Sequence, residues 1–177
     1  SMMPTFMAFA DKLHAIPEYS EYRFVVAAAP ARSEADYTKY IGGREHVSVV
    51  FGQSYAVMRH AKAAVVNSGT ASLECALIGT PQVVAYKGAE INFLIAKMII
   101  KIQYISLGNL ILDRICFREL LQYYFTPDNV LNEVRRMIED EEYRSAMLSG
   151  YQEIRDALGG EGASAAVARA MIGELRQ

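Results

Sequence analysis

The chain has 177 residues, enough for one domain with a full core, and its 52% hydrophobic content argues for a packed globule rather than disorder. A formal net charge of -2 leaves no basic excess, which argues against a protein that neutralises nucleic-acid phosphates, so no nucleic-acid partner is expected. The two cysteines, Cys75 and Cys116, stand far apart in apolar settings and read as buried thiols of a reducing, cytoplasmic compartment. Neither they nor His14, His46 and His60 have the spacing of a metal site.

Helical period opens the chain at residues 4–16, with Pro4 in the first turn, and a short β-branched run at 23–28 follows. The same alternation continues with a helix at 33–40, a strand at 47–51, a helix at 54–61, a strand at 63–67, a helix at 70–78 and a strand at 82–86. A helix is expected at 91–102 and a weaker strand at 104–106. The strands are apolar on both sides, the pattern of a parallel sheet covered by helices on both faces, so the fold expected is α/β, Rossmann-like. The apolar run 91–105 is broken by Asn92, Lys97, Lys101 and Gln103 and falls short of the ~20 apolar residues of a membrane span.

From residue 118 onward no strand is expected, only helices at 118–124, 127–158 with a break near Asp140, and 163–176. Thr126 can cap the second of these, Pro127 suits its first turn, and Asp128 complements its dipole. The organisation expected is a Rossmann-like domain over 1–117 and a helical C-terminal extension of it over 118–177. An α/β nucleotide-binding domain ordinarily opens with a strand and a glycine-rich turn, whereas this chain starts almost inside a helix, so that strand is expected to lie outside the sequence.

The stretch from Val65 to Glu74 carries the clearest chemistry. A strand ends at Asn67, a hydroxyl- and glycine-containing turn follows, and a helix starts near Thr70, which aims free N–H groups and the positive end of a dipole at the sheet's carboxyl edge. Gly69 admits a diphosphate close to the main chain, and Ser68 and Thr70 add hydroxyls. Glu74 shares a helix face with Thr70 about 6 Å along the axis, where its carboxylate can accept from both hydroxyls of a ribose. An ordinary capped helix with an exposed glutamate is an equally good account of the local pattern. Asn109, in the loop after the run 104–106, has an amide suited to a phosphate or sugar oxygen, and Glu119 and Gln122 sit at i and i+3 of an expected helix. A structural turn amide and a solvated helix face are the competing account. In the turn Phe51-Gly52-Gln53, Gly52 and Gln53 are candidates for the approach of a flat base, or a plain strand-to-helix turn.

Four runs in order, Ser68-Gly69-Thr70-Ala71-Ser72-Leu73-Glu74-Cys75, Pro81-Gln82-Val83-Val84-Ala85-Tyr86-Lys87, Tyr104-Ile105-Ser106-Leu107-Gly108-Asn109-Leu110 and Glu119-Leu120-Leu121-Gln122, resemble successive motifs of the lipid-A-disaccharide synthase family. The resemblance covers nearly the whole chain, but only the C-terminal of that family's two Rossmann-like domains. It implies a GT-B glycosyltransferase that moves 2,3-diacylglucosamine from UDP to a 2,3-diacylglucosamine 1-phosphate acceptor with inversion, without metal or other cofactor. By the same resemblance Glu74 would hold the uridine ribose, Ser68 to Thr70 the diphosphate, and Asn109 would lie near the diphosphate and transferred sugar. The turn Phe51 to Gln53 would neighbour the uracil. Two departures stand out. Gly108 occupies a position where the family usually has proline, so a looser loop is expected around Asn109. The family's general-base aspartate and its Gly-Ser-Arg phosphate loop fall outside this chain, so the chain alone is expected to lack catalysis.

The implied location is the cytoplasm, at the inner membrane surface of a Gram-negative bacterium, with Lys97 and Lys101 of the 93–102 stretch facing anionic lipid or snorkelling from a buried helix. A homodimer is an accompanying expectation. The competing readings are another GT-B enzyme using a UDP-hexosamine, such as a peptidoglycan-type transferase or a UDP-GlcNAc epimerase, and a non-catalytic nucleotide-binding or oligomerising module.

Overall fold

The computed structural model describes residues 2–88 and 104–159. The expected helices at 91–102, with Lys97 and Lys101, and at 163–176 fall outside them. Strand and helix alternate as α1 (Met3–His14), β1 (Phe24–Ala28), α2 (Glu34–Ile41), β2 (Val47–Phe51), α3 (Ser54–His60), β3 (Ala64–Asn67), α4 (Thr70–Ile78) and β4 (Gln82–Tyr86). After these come α5 (Leu107–Leu112), β5 (Glu119–Leu121), α6 (Pro127–Glu139) and α7 (Glu141–Ala157).

All pairing among the described strands is parallel. β1 pairs with β2 from Phe24 opposite Val47 to Ala28 opposite Phe51, and a second sheet runs in the order β3-β4-β5. In β4, Val83, Val84 and Ala85 are all fully buried although successive side chains point to opposite faces, so both faces are covered. α6 packs on β3 and β4 with α1 beside it, and α4 packs on the same strands with α3 and α7 beside it. One core unites these layers, from Phe9 and Leu13 through Val83, Val84, Phe117 and Leu120 to Val130, Met137, Tyr151 and Ile154. This is the expected Rossmann-like α/β arrangement.

The helix boundaries have local causes. Thr126 accepts from the Asn129 N–H at 3.2 Å with Pro127 in the first turn of α6, and the break at Asp140 exists because its carboxylate caps α7, accepting from the Tyr143 N–H at 2.9 Å. Ser33 and Asp36 form a capping box at the start of α2. Two expectations need correction. Residues 104–106 are not a strand, because the Ile105 and Ser106 N–H groups donate to Glu119 and lead into α5. Residues 118–124 are not a helix. Leu120 is buried between half-exposed neighbours, which is a strand's period of two, and β5 joins the edge of β4 with the Val84 N–H donating to the Arg118 carbonyl at 2.9 Å. The sheet therefore runs on past residue 117, and Glu119 and Gln122 do not share a helix face.

Away from these strands, Arg44 grips Asp11 with Nε at 2.7 Å and Nη2 at 2.8 Å, and His46 Nε2 lies 3.0 Å from the same carboxylate while its ring stacks on His14. The hydrogen bond from Arg44, helped by its charge, holds Asp11 below the usual carboxylate range. A depressed folded-state pKa contributes stability that is present above the ordinary value and lost as pH falls through the folded one. Urea melts should therefore show wild type losing stability below about pH 4. Asp11→Asn should be less stable at neutral pH, with a flatter acid limb; parallel acid limbs would refute the assignment. The carboxylate is partly exposed, so the difference will be modest.

Candidate functional site

At the carboxyl edge the chain turns from β3 into α4. The Ser68 N–H donates to the Ala85 carbonyl at 3.1 Å, extending the β3–β4 ladder by one residue. Gly69 then takes φ 149° and ψ -163°, a region essentially closed to residues with a Cβ. No side chain caps α4, and the Ser72 hydroxyl instead turns back to the Gly69 carbonyl at 2.8 Å. Among the described residues the Thr70 and Ala71 N–H groups and the Ser68 and Thr70 hydroxyls have no hydrogen-bond partner. That concentration of unpaired donors at a helix N-terminus suits an anion. The helix behind it is anchored from below, with Gln82 Nε2 donating to the Ser72 carbonyl at 2.8 Å.

Glu74 lies one turn into α4 and is half-buried, with no ion-pair partner among the described residues. Its carboxylate does not enter the core. Its charge raises the pKa of Tyr55, in the first turn of α3. α3 follows directly on the turn of Gly52, at φ 68°, and Gln53, both exposed. α3 packs on α4, so the turn Gly52-Gln53 leading into α3 and the turn Ser68 to Thr70 leading into α4, with Glu74 one turn further in, open two neighbouring helices. Tyr55 was missed by sequence reasoning. The signal available was its place in the first turn after Gly52-Gln53, without any motif to single it out.

Asn109, Glu119 and Gln122 are placed differently. Asn109 is fully buried: Nδ2 donates to the Phe117 carbonyl and to Glu119 Oε1, both at 2.9 Å, while Oδ1 accepts from the Cys116 N–H at 2.8 Å and the Phe117 N–H at 3.3 Å. All four bonding positions of the amide are filled inside the chain. Glu119 accepts from the Ile105 and Ser106 N–H groups, both at 3.0 Å, and from the Ser106 hydroxyl. It ties down the entry to α5 and is not a solvated carboxylate. Gly108 does not loosen this loop either. It is buried, and a Cβ there would stand 2.8 Å from the Phe117 ring, so glycine permits the tight seat of α5. Gln122, at φ 50°, closes β5 with its Nε2 buried and without a hydrogen-bond partner among the described residues.

Cys75 and Cys116 are free and buried, and burial pushes their thiols up to about 12 and about 11, which keeps them protonated. Among the described residues no group of three or more His, Cys, Asp or Glu side chains is placed to hold a metal, and no helix is long and apolar enough to cross a membrane.

The fold matches solved glycosyltransferases. The glycosyltransferase VinC, determined in complex with DTDP, superposes with a TM-score of 0.61 over 98% of this chain and 38% of its own, at 18% identity. The kitacinnamycin glycotransferase superposes with a TM-score of 0.57 over 94% and 39%, at 20% identity. These likenesses show the fold alone, an α/β, Rossmann-like domain of the kind found in these two glycosyltransferases. The chain belongs to the lipid-A-disaccharide synthase family: the family model for lipid-A-disaccharide synthetase matches residues 1–170. A lipid-A-disaccharide synthase of Anaeromyxobacter dehalogenans is 32% identical over 177 residues, 99% of this chain and 46% of the relative. One from Trichlorobacter lovleyi is 32% identical over 156 residues, 88% of this chain and 41% of the relative. The chain spans less than half the length of these curated relatives.

Proposed function

We propose that the edge formed by the start of α4 and the first turn of α3 binds the donor of a lipid A pathway glycosyltransferase, a UDP-linked 2,3-diacylglucosamine. The unpaired N–H groups of Thr70 and Ala71, with the Ser68 and Thr70 hydroxyls, receive the diphosphate, and Gly69 keeps the approach clear. Glu74 accepts from the ribose hydroxyls, and the exposed Gly52-Gln53 turn borders the uracil. Gln122 offers its unpaired amide at the end of β5 to the diphosphate or sugar, while Asn109 and Glu119 act indirectly by holding the loop into α5. The observation that carries this reading is the uncapped N-terminus of α4 behind Gly69 at φ 149°, with a carboxylate lacking any ion-pair partner among the described residues one turn further in.

The whole-protein reaction that follows is inverting transfer of diacylglucosamine to a diacylglucosamine 1-phosphate acceptor, at the cytoplasmic face of a Gram-negative inner membrane where such acylated substrates reside. The proposed donor groups include no base beside an acceptor hydroxyl, so this chain alone should bind nucleotide without turning over substrate. Light scattering will decide between a homodimer and a monomer. Calorimetric titration tests the donor assignment directly: UDP and UDP-GlcNAc should bind and a nucleoside without phosphates should not, and equal heats for all three would contradict it. Gly69→Ala places its Cβ in open space, so its cost is purely conformational, about 1–3 kcal/mol of stability with weakened UDP binding. Thermal melts and titrations matching wild type would show that the turn is not under this constraint.

A further inference from the structure

α3 leads out of the Gly52-Gln53 turn, yet none of its residues is fully buried, and only Ser54, Val57 and Met58 are half-buried. Packing this thin leaves a two-turn helix poorly fixed on α4 and β1, because few apolar contacts oppose its rocking. A polar tie compensates. The Thr80 hydroxyl donates at 2.5 Å to the Met58 carbonyl, which also receives the Ala61 N–H at 3.3 Å in the last turn of α3. Thr80 is itself a fixed post, 3% exposed, on the connection from α4 to β4. Its N–H donates to the Cys75 carbonyl of α4 at 3.2 Å, and its carbonyl accepts from the Tyr151 hydroxyl of α7 at 3.1 Å. Met58 lies about 7.5 Å along the helix from Gln53, so movement of α3 at this tie displaces the turn at its other end.

We propose that Thr80 is a positioning residue of the donor site, its hydroxyl holding α3 so that the Gly52-Gln53 turn stands where it borders the base of a uridine nucleotide. The assignment rests on the donor-site reading above and deepens it: recognition of the base is set from the far end of α4, while the diphosphate and ribose depend on α4 alone. Thr80 acts through α3 and touches no part of the nucleotide. Without its hydroxyl α3 samples positions in which the turn is displaced, and affinity for uridine nucleotides falls by the fraction of molecules still correctly placed. A nucleotide that makes no use of the turn is bound as before.

The experiment is calorimetric titration of UDP and of ADP, which share ribose and diphosphate and differ in the base, into wild type, Thr80→Val and Thr80→Ser, with amide hydrogen exchange of each protein. Wild type should prefer UDP. Thr80→Val, which keeps the shape and loses the donor, should weaken UDP about three- to tenfold, the worth of one hydrogen bond, and leave ADP unchanged. Thr80→Ser keeps the hydroxyl and should bind UDP as wild type does. Exchange over α3 should quicken in Thr80→Val while α4 stays protected; faster exchange along the whole chain would mark a general loss of structure and contradict the role. If Thr80→Val binds UDP as wild type does, or weakens UDP and ADP alike, or if Thr80→Ser is as weak as Thr80→Val, the positioning role is wrong and the donor site stands. Equal binding of UDP and ADP by wild type would remove the reading of the base and this inference with it, leaving the diphosphate and ribose assignments. If wild type binds neither nucleotide, the donor-site reading and this inference fall together.

Discussion

Glu74→Ala is expected to weaken UDP binding roughly 10- to 100-fold while leaving the melting temperature within a degree or two of wild type, because a buried or half-buried hydrogen bond to a charged group is worth about 1.5–3 kcal/mol. The separation of affinity from stability follows from where the residue stands. Glu74 is half-buried on α4 and has no ion-pair partner among the described residues. Nothing in the core depends on it. Glu74→Gln keeps the shape and one acceptor oxygen but loses the charge, so it should fall between wild type and alanine. Calorimetry of the three proteins with UDP, beside their melts, checks the ordering, and equal affinities across the series would remove the ribose assignment.

Asn109→Ala is expected to do the reverse. Its amide satisfies the Cys116 and Phe117 N–H groups and the Phe117 carbonyl, and adds a donor to Glu119, all in the interior beside α7. Truncation strands several buried backbone groups and leaves a carboxylate short of one partner, each costing about 1 kcal/mol or more, for a total of about 3 kcal/mol. For a chain of this size that is a fall of roughly 6–12 °C in melting temperature. Asn109→Asp should be destabilising as well, since it replaces both donors with acceptors facing Glu119 and a carbonyl. Differential scanning calorimetry with and without UDP separates the two roles: a large loss of stability in the apo protein supports the buried lock, while an unchanged melt with lost UDP binding would return Asn109 to the ligand.

The contrast between these two residues explains what could be read from the sequence. Strand, turn and helix around Asn67, Gly69 and Thr70 were legible because each piece has a local cause: a β-branched run, a glycine where the backbone must open, and an apolar helix stripe. The break at Asp140 was legible for the same reason, since a cap acts within three residues. Asn109 and Glu119 were not. Their partners at Phe117, Cys116, Ile105 and Ser106 are brought together by the fold, and a polar side chain in a loop motif looks the same from the sequence whether it meets a ligand or a stranded N–H. β5 was misjudged because three residues are too few to display a period, and Glu119 and Gln122 also satisfy helical spacing.

The central claim is that the amino end of α4 holds a nucleoside diphosphate with its ribose on Glu74. A crystal structure of this chain grown with UDP tests it most directly. The account predicts the diphosphate within hydrogen-bonding distance of the Thr70 and Ala71 N–H groups and the ribose hydroxyls against the Glu74 carboxylate. Clear density for UDP at another place, with the turn at Gly69 empty, would contradict it.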